Sequence, residues 1–540
     1  MKTSTLSKFL TMLVLGGLIL MASLPGSASQ PVTPIPPGPF TSLPDYIGAP
    51  AKAHPLANTG VPQNPSFAPN GLAHGHSDSW MSDAADLAGP LGRNLVISST
   101  DLAGIHQNSW VMLATNISID SHGRLVVYAH GVEEASINLL DPDTLEILAH
   151  YPLAVQPGEP QGEGEQKFQL SAWSIYGYLD NHDRVHVISE GKVLLTLAIV
   201  DTASGPEIEL EGEPYDLTDL VMDEDGKQVD RIAGVFADFQ GRYWLNMGAS
   251  ANIYVLDPAT AQGPYTKENL PHVNLGPGEF TRNGHVLAKE GGYIVTTQAM
   301  YRVDIGADGW PYVVWRQAYD TIGAVRPGQY ELGSGTTPTI LGEGKYVAIT
   351  DNAPQMNLVV YRTEPDEKLG AGQQRIVCKI PVFDFPGGGA GADSNSVIGF
   401  HNSIIVQNST DYLFDWGSGR LARPGKPGLQ RIDINPNGKG CTKVWVNTEV
   451  RTIACPRLST RTGLIYTMDR KLDPDNNVYA VYWVALDFRT GKVAWEKLAG
   501  TFRADAPATF DNFWSPTTIA PNGALYLGGY AGLMAVRDGP

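Results

Sequence analysis

From Asn94 to the C-terminus, short runs rich in Val, Ile, Tyr and Thr alternate with clusters of Gly, Asp, Asn and Pro. No stretch there keeps a 3.6-residue apolar period. This is the strand-and-turn pattern, and it predicts an all-β domain. The runs group in fours. The clearest unit lies at 454–500, with a first strand near Cys455, a turn at Gly463, strands Leu464–Met468 and Tyr482–Asp487, a turn at Arg489-Thr-Gly491 and a last strand Lys492–Leu498. The same grammar restarts near residues 113, 170, 232, 284, 336, 395, 454 and 515. A repeat of about 50 residues built from four strands is the mark of a β-propeller. The count predicts eight four-stranded blades; seven follow if one unit has been split wrongly. The last unit shows only three strands, and Asn94–Thr100 is an orphan strand at the other end. Pairing the two closes the ring and removes both free edges.

The turns between third and fourth strands match one another: Asp141-Pro-Asp-Thr144, Asp201-Thr-Ala-Ser-Gly205, Asp257-Pro-Ala-Thr260 and Asp487-Phe-Arg-Thr-Gly491. Asp hydrogen-bonds the backbone ahead of it, so this is hairpin chemistry. The fourth strand carries a tryptophan at one position in three units, Trp315, Trp445 and Trp495, placed to wedge between neighbouring blades. In Ile376-Val-Cys-Lys379 a cysteine holds that position, so Cys378 and Cys441 fall on outer strands of adjacent units. This predicts a Cys378–Cys441 disulfide and leaves Cys455 as a thiol.

Val484-Ala-Leu-Asp-Phe-Arg-Thr-Gly-Lys-Val-Ala-Trp-Glu496 resembles the repeat of quinoprotein-type (PQQ-like) β-propellers, and Pro521–Tyr530 resembles the first half of that repeat. The match covers about two units. The family includes dehydrogenases that use pyrroloquinoline quinone, held with a calcium ion and a catalytic aspartate, and members that bind no cofactor. Many of the dehydrogenases carry two adjacent cysteines, which this chain lacks. The resemblance therefore implies a blade architecture and admits pyrroloquinoline quinone with calcium without a specific motif for either.

Composition narrows the function. The chain has 540 residues, with Lys+Arg 38 against Asp+Glu 56 and a formal net charge of −18. Such an acidic chain argues against nucleic-acid partners, which need Lys and Arg on phosphates. Three cysteines and no Cys-x-x-Cys exclude a disulfide-dense scaffold and c-type haem attachment. Lys2 and Lys8 precede an uncharged apolar run, Phe9–Leu24, and Pro25-Gly-Ser-Ala-Ser29 supplies small residues. Residues 1–29 read as a signal peptide, so the expectation is a secreted or periplasmic protein with no membrane span after cleavage. Residues 30–93 are Pro-rich and read as an extended arm lying over the propeller domain, 94–540. A closed ring needs no partner to hide edges, so a monomer is expected.

In a propeller, the connections between blades (D–A) and the B–C loops share one face, here the loop face. The A–B and C–D turns share the other, the turn face. The turn face is dominated by structural hairpins such as Asp120-Ser-His-Gly123 and Asp180-Asn-His-Asp183, so His122, His182 and His401 are set aside. The loop face offers His130 and His285 as groups that exchange protons near neutral pH, and Glu190, Asp351 and Asp469 as carboxylates. Trp173, Asn246, Asn352, Asn408, Arg470 and Trp514 complete a polar mouth suited to a small or sugar-like ligand. His74-Gly-His76 is a weak metal pair, since three or four ligands are needed. No metal is expected. Two function classes follow: an exported small-molecule binder or enzyme, oxidoreductase first and lyase or hydrolase second, or a non-catalytic propeller that recruits an envelope or extracellular partner.

Overall fold

The computed structural model describes residues 32–58, 60–69, 71–102, 113–131, 134–155, 176–281, 283–329, 332–392 and 397–540. The predicted signal segment, Trp173 and the expected start of the second unit near 170 lie outside them. Eight sheets make the ring, each built on four antiparallel strands; the blade 2 sheet adds Tyr215–Asp216, and the blade 7 sheet adds Tyr46–Gly48 on its outer edge and Ala84–Ala85, parallel, on its inner edge. Their innermost strands are Leu113–Ile119, Tyr178–Leu179, Ile232–Ala237, Val286–Ala288, Thr339–Leu341, Ile398–Phe400, Arg457–Ser459 and Thr518–Ile519. The count is eight, and the ring closes as the orphan strand predicts: Val96–Asp101 pairs antiparallel with Gly532–Arg537 as the outer strand of blade 8. Blade 6 carries an extra hairpin in its B–C loop, Tyr412–Asp415 with Arg420–Pro424.

The sequence writes the turns. In blades 1 to 3 the A–B turn is Asp-x-x-(Gly or Asp)-Arg. One oxygen of Asp120, Asp180 or Asp238 accepts backbone N–H groups two and four residues on, and the other accepts Nε of Arg124, Arg184 or Arg242. Each Asp thus satisfies the donors of a tight turn and pins a cation beside itself.

Blades are stapled through one carbonyl. Trp445 of blade 6 donates its indole N–H to Phe488 O in blade 7 at 2.9 Å, and Arg431 Nη1 donates to the same oxygen at 3.3 Å. Blade 4 repeats the device on blade 5, where Trp315 and Arg302 both donate to Thr363 O. In each case a neighbouring aspartate, Asp433 or Asp304, holds the guanidinium by two bonds. Cys378 and Cys441 are joined across blades 5 and 6, Cα–Cα 5.8 Å. Cys455 is a buried thiol.

The arm does more than lie over the domain. Tyr46–Gly48 adds a strand to the outer edge of blade 7. The chain then turns inward. Asn64 Nδ2 donates to Ala237 O of blade 3, Leu72 O accepts Ile119 N of blade 1, and Ala73 O accepts Leu179 N of blade 2. Trp80 O accepts Ile340 N of blade 5, Ser82 O accepts Gly399 N of blade 6, and Asp83 O accepts Leu458 N of blade 7. A Cβ on Gly75 would stand 3.0 Å from the Pro516 ring of blade 8. A segment that reaches the innermost strands of six blades, and the chain just before that of blade 8, sits on the ring axis. Residues 62–69 and 71–85 therefore plug the central channel. Ile119, Leu179 and Ala237 are the last residues of their strands, so the plug enters from the turn face.

Candidate functional site: the plugged channel

Gly75 and His76 reach furthest toward the loop face. They meet Arg457, the first residue of its inner strand, Asn116 in mid-strand, and Tyr176, which precedes its inner strand. The turn beneath is tied by Asp78, whose oxygens accept Trp80 N at 2.9 Å, Ser82 N at 3.2 Å and Ser82 Oγ at 2.5 Å. Burial pushes the Asp78 carboxyl up to about 6 against those bonds. Ser77, Met81 and Asp83 all hold positive φ, at 71°, 53° and 51°. Non-glycine residues in this region cost on the order of 1 kcal/mol each, and such strain gathers at functional sites.

Asp83 is fully buried between two partners. Its Oδ2 lies 3.3 Å from His76 Nδ1 and its Oδ1 lies 3.3 Å from Arg457 Nη1. Arg457 Nε donates to Thr517 O at 2.8 Å, and Nη2 donates to Gly75 O. The guanidinium is thus spent on its own surroundings. His76 keeps 10% of its side-chain surface, and its Nε2 makes no hydrogen bond with a described residue. Its ring stacks on Tyr176, centroids 6.4 Å apart. Two glycines of adjacent blades admit that tyrosine: a Cβ on Gly234 would stand 2.7 Å from Tyr176 Cβ, and one on Gly284 3.2 Å from Cε1. Around the tip, Asn116 Oδ1, Ser77 Oγ and His74 Nε2 are buried with no partner among the described residues. Native proteins give such atoms a partner, so a water or a ligand belongs here.

Of the residues expected at the mouth, Trp173 lies outside the described residues; the others are buried rather than presented, except Glu190, which is half-buried and paired with Lys192 at 3.1 Å. Asp351 accepts Asn357 N, Asn357 Nδ2 and Ala353 N, and burial raises its carboxyl. Asn352 accepts from Arg326 Nε and donates to Ala324 O and Leu332 O. Asn408 donates to Gly388 O and Pro427 O. Asp469 accepts the amides of Arg451 and Arg470. Arg470 pairs with Asp511 at 2.5 Å and donates to Pro424 O of the blade 6 hairpin. Trp514 packs on Phe513, centroids 4.0 Å apart. Asn246 donates to Asn283 O, joining blades 3 and 4. These side chains anchor loops and join blades.

His285 lies edge-on to Phe236 at 5.1 Å, and burial pushes its imidazole down to about 3. His130 is buried too and pushed down to about 4. Among the described residues neither ring pairs with Glu190, Asp351 or Asp469, so the acid–base set read along the sequence is not assembled. The His74–His76 pair had a weak metal signal; in the structure Asp83 takes the His76 nitrogen. Asp83 and Arg457 carried no signal, because each sits outside any motif and meets the other only through the threading of the arm.

Calcium-held pyrroloquinoline quinone does not fit the residues present. Asp351 and Asp469 would be its acidic ligands, and their oxygens are committed to backbone amides and side chains. Asp120, His122 and Asp183 on the turn face have metal-like spacing, but Arg124 Nε already lies 2.6 Å from Asp120. Asn116-Ile-Ser118 and Asn408-Ser-Thr410 fit the N-glycosylation pattern, but both asparagines are buried, so the folded chain offers neither for glycosylation.

No protein-family model matches the chain, and no curated protein sequence matches it. Among solved structures, it is similar to a putative 6-phosphogluconolactonase from Bacteroides uniformis, at 13% identity and TM-score 0.36 over 73% of this chain and 99% of that one. It is similar to a catalytically inactive virginiamycin B lyase from Staphylococcus aureus with quinupristin, at 10% identity and TM-score 0.36 over 74% and 98%. It is also similar to BamB from Moraxella catarrhalis, at 13% identity and TM-score 0.32 over 91% and 98%. The chain's own eight blades make it a β-propeller.

Proposed function

We propose that the chain is an exported β-propeller that binds a small polar molecule in its central channel, on the loop side of the plug. The observation that carries the reading is His76: its Nδ1 is held by Asp83, its Nε2 makes no hydrogen bond with a described residue, and the nearby Ser77 and Asn116 carry buried oxygens without a hydrogen-bond partner among the described residues. A carboxylate that fixes one imidazole nitrogen and leaves the other for a guest is the arrangement of a general base. Export is supported by the apolar segment after Lys8 and by the Cys378–Cys441 disulfide, which persists in oxidising compartments. Among the described residues no helix is long and apolar enough to cross a membrane. We take the protein as a monomer.

A thermal-shift screen of sugars, polyols, hydroxy acids, lactones and pyrroloquinoline quinone with calcium tests the reading. A compound that raises Tm in the mature protein and not in His76→Gln supports it. Shifts that survive His76→Gln contradict it.

The second reading is a non-catalytic scaffold that recruits an envelope or extracellular protein. One observation favours it: the loop-face side chains hold loop backbone rather than face solvent. In that case no compound of the screen moves Tm.

A further inference from the structure

We infer that the guest of the plugged channel is a neutral, hydroxyl-bearing molecule of the polyol or sugar class, and that His76 Nε2 accepts a hydrogen bond from one of its hydroxyls. The inference rests on the small-molecule reading above and narrows it.

Charge comes first. Asp83 and Arg457 neutralise each other, and each guanidinium nitrogen has a protein partner: Asp83 on Nη1, Thr517 O on Nε, Gly75 O on Nη2. No cationic donor is left for a carboxylate or phosphate, and a buried anion without one is costly. The carboxylate at the tip, Asp83, is engaged on both oxygens, by His76 Nδ1 and by Arg457 Nη1, so it does not wait for a cation either.

Donors and acceptors come next. Asp83 is an acceptor, so in the neutral form of His76 the proton sits on Nδ1 and Nε2 accepts. The amide of His76 donates to His74 Nδ1 at 3.2 Å, so in neutral His74 the proton sits on Nε2. Asn116 Oδ1 only accepts, and Ser77 Oγ does both. The tip therefore presents a mixture of acceptors and donors in which the Asp83–Arg457 pair is balanced within itself. An anion would meet acceptors with acceptors. A hydroxyl donates and accepts at once, and is the complement of such a set.

The test uses the mature full-length protein with 15N-labelled histidine, the His76 resonances being assigned with His76→Gln. Glycerol, mannitol and glucose are titrated against acetate, phosphate and gluconate. A neutral polyol should move His76 Nε2 saturably, and His76→Gln should weaken its binding about tenfold, the loss of one buried hydrogen bond. Asn116→Ala should weaken it as well, and serves if His76→Gln fails to fold. If anions move the resonance and neutral probes do not, the ligand class is overturned while the channel site stands. If nothing moves it, and a crystal structure grown with the polyol shows ordered water only at His76, the class and the small-molecule reading both fall.

Discussion

Asp83, in the arm, and Arg457, first residue of the inner strand of blade 7, form an ion pair at 3.3 Å across 374 positions of sequence, with side-chain exposures of 0% and 3%. The pair locks the plug to the ring and sets the proton of His76 on Nδ1. Breaking one side leaves a buried charge uncompensated. Arg457→Met should cost about 4 kcal/mol in urea unfolding. The double variant Asp83→Asn/Arg457→Met should cost clearly less than the sum of the singles. Additive losses would show that the two residues act apart.

His285 gives a pH dependence with a definite sign. Its folded imidazole is pushed down to about 3 from 6.5 by burial. Between those values the unfolded chain binds a proton that the folded chain refuses. The contribution of His285 is therefore full above pH 6.5 and lost as pH falls, by up to about 1.4 kcal/mol per pH unit. His285→Leu should flatten the unfolding free energy between pH 6 and pH 4 by one proton. An unchanged slope would place the imidazole in a wetter setting.

The blade staple is testable by packing. Gly491 has φ +68°, and an added Cβ would overlap the Trp445 ring. Gly491→Ala should lower Tm through both steric conflict and backbone strain. Adding Trp445→Ala should remove the steric part, so the double variant loses less than the sum.

The Cys378–Cys441 bridge spans 63 residues between the outer strands of blades 5 and 6. Cys378→Ser/Cys441→Ser should cost about 3 kcal/mol, and reduction of the parent should lower Tm in the same direction. Equal Tm values with and without reductant would mean that the bridge adds nothing to the ring.

The ring was legible because each blade is local. Strand alternation, the Asp-led turns and the tryptophan at 315, 445 and 495 repeat within one unit, and the orphan strand at 94–100 announced its own partner by elimination. The plug was not legible. Residues 62–85 show no period, since an extended chain on an axis pairs one or two residues at a time with the inner strands of blades 1, 2, 5, 6 and 7. His130 and His285 could be placed near strand ends from sequence, but not in or out of the packing between blades. Asp83 and Arg457 are ordinary residues until the arm threads the ring, so their pairing is a property of tertiary structure alone.

The central claim is that residues 62–69 and 71–85 occupy the channel with Gly75 and His76 at the tip. A Cβ on Gly75 would stand 3.5 Å from Pro516 Cβ on blade 8, within disulfide range. The direct measurement is disulfide mapping by mass spectrometry of Gly75→Cys/Pro516→Cys in a Cys455→Ser background. The account predicts that the 75–516 bridge forms spontaneously in the purified protein and that the Cys378–Cys441 bridge remains. Two reduced thiols at 75 and 516 in an otherwise folded protein would contradict it.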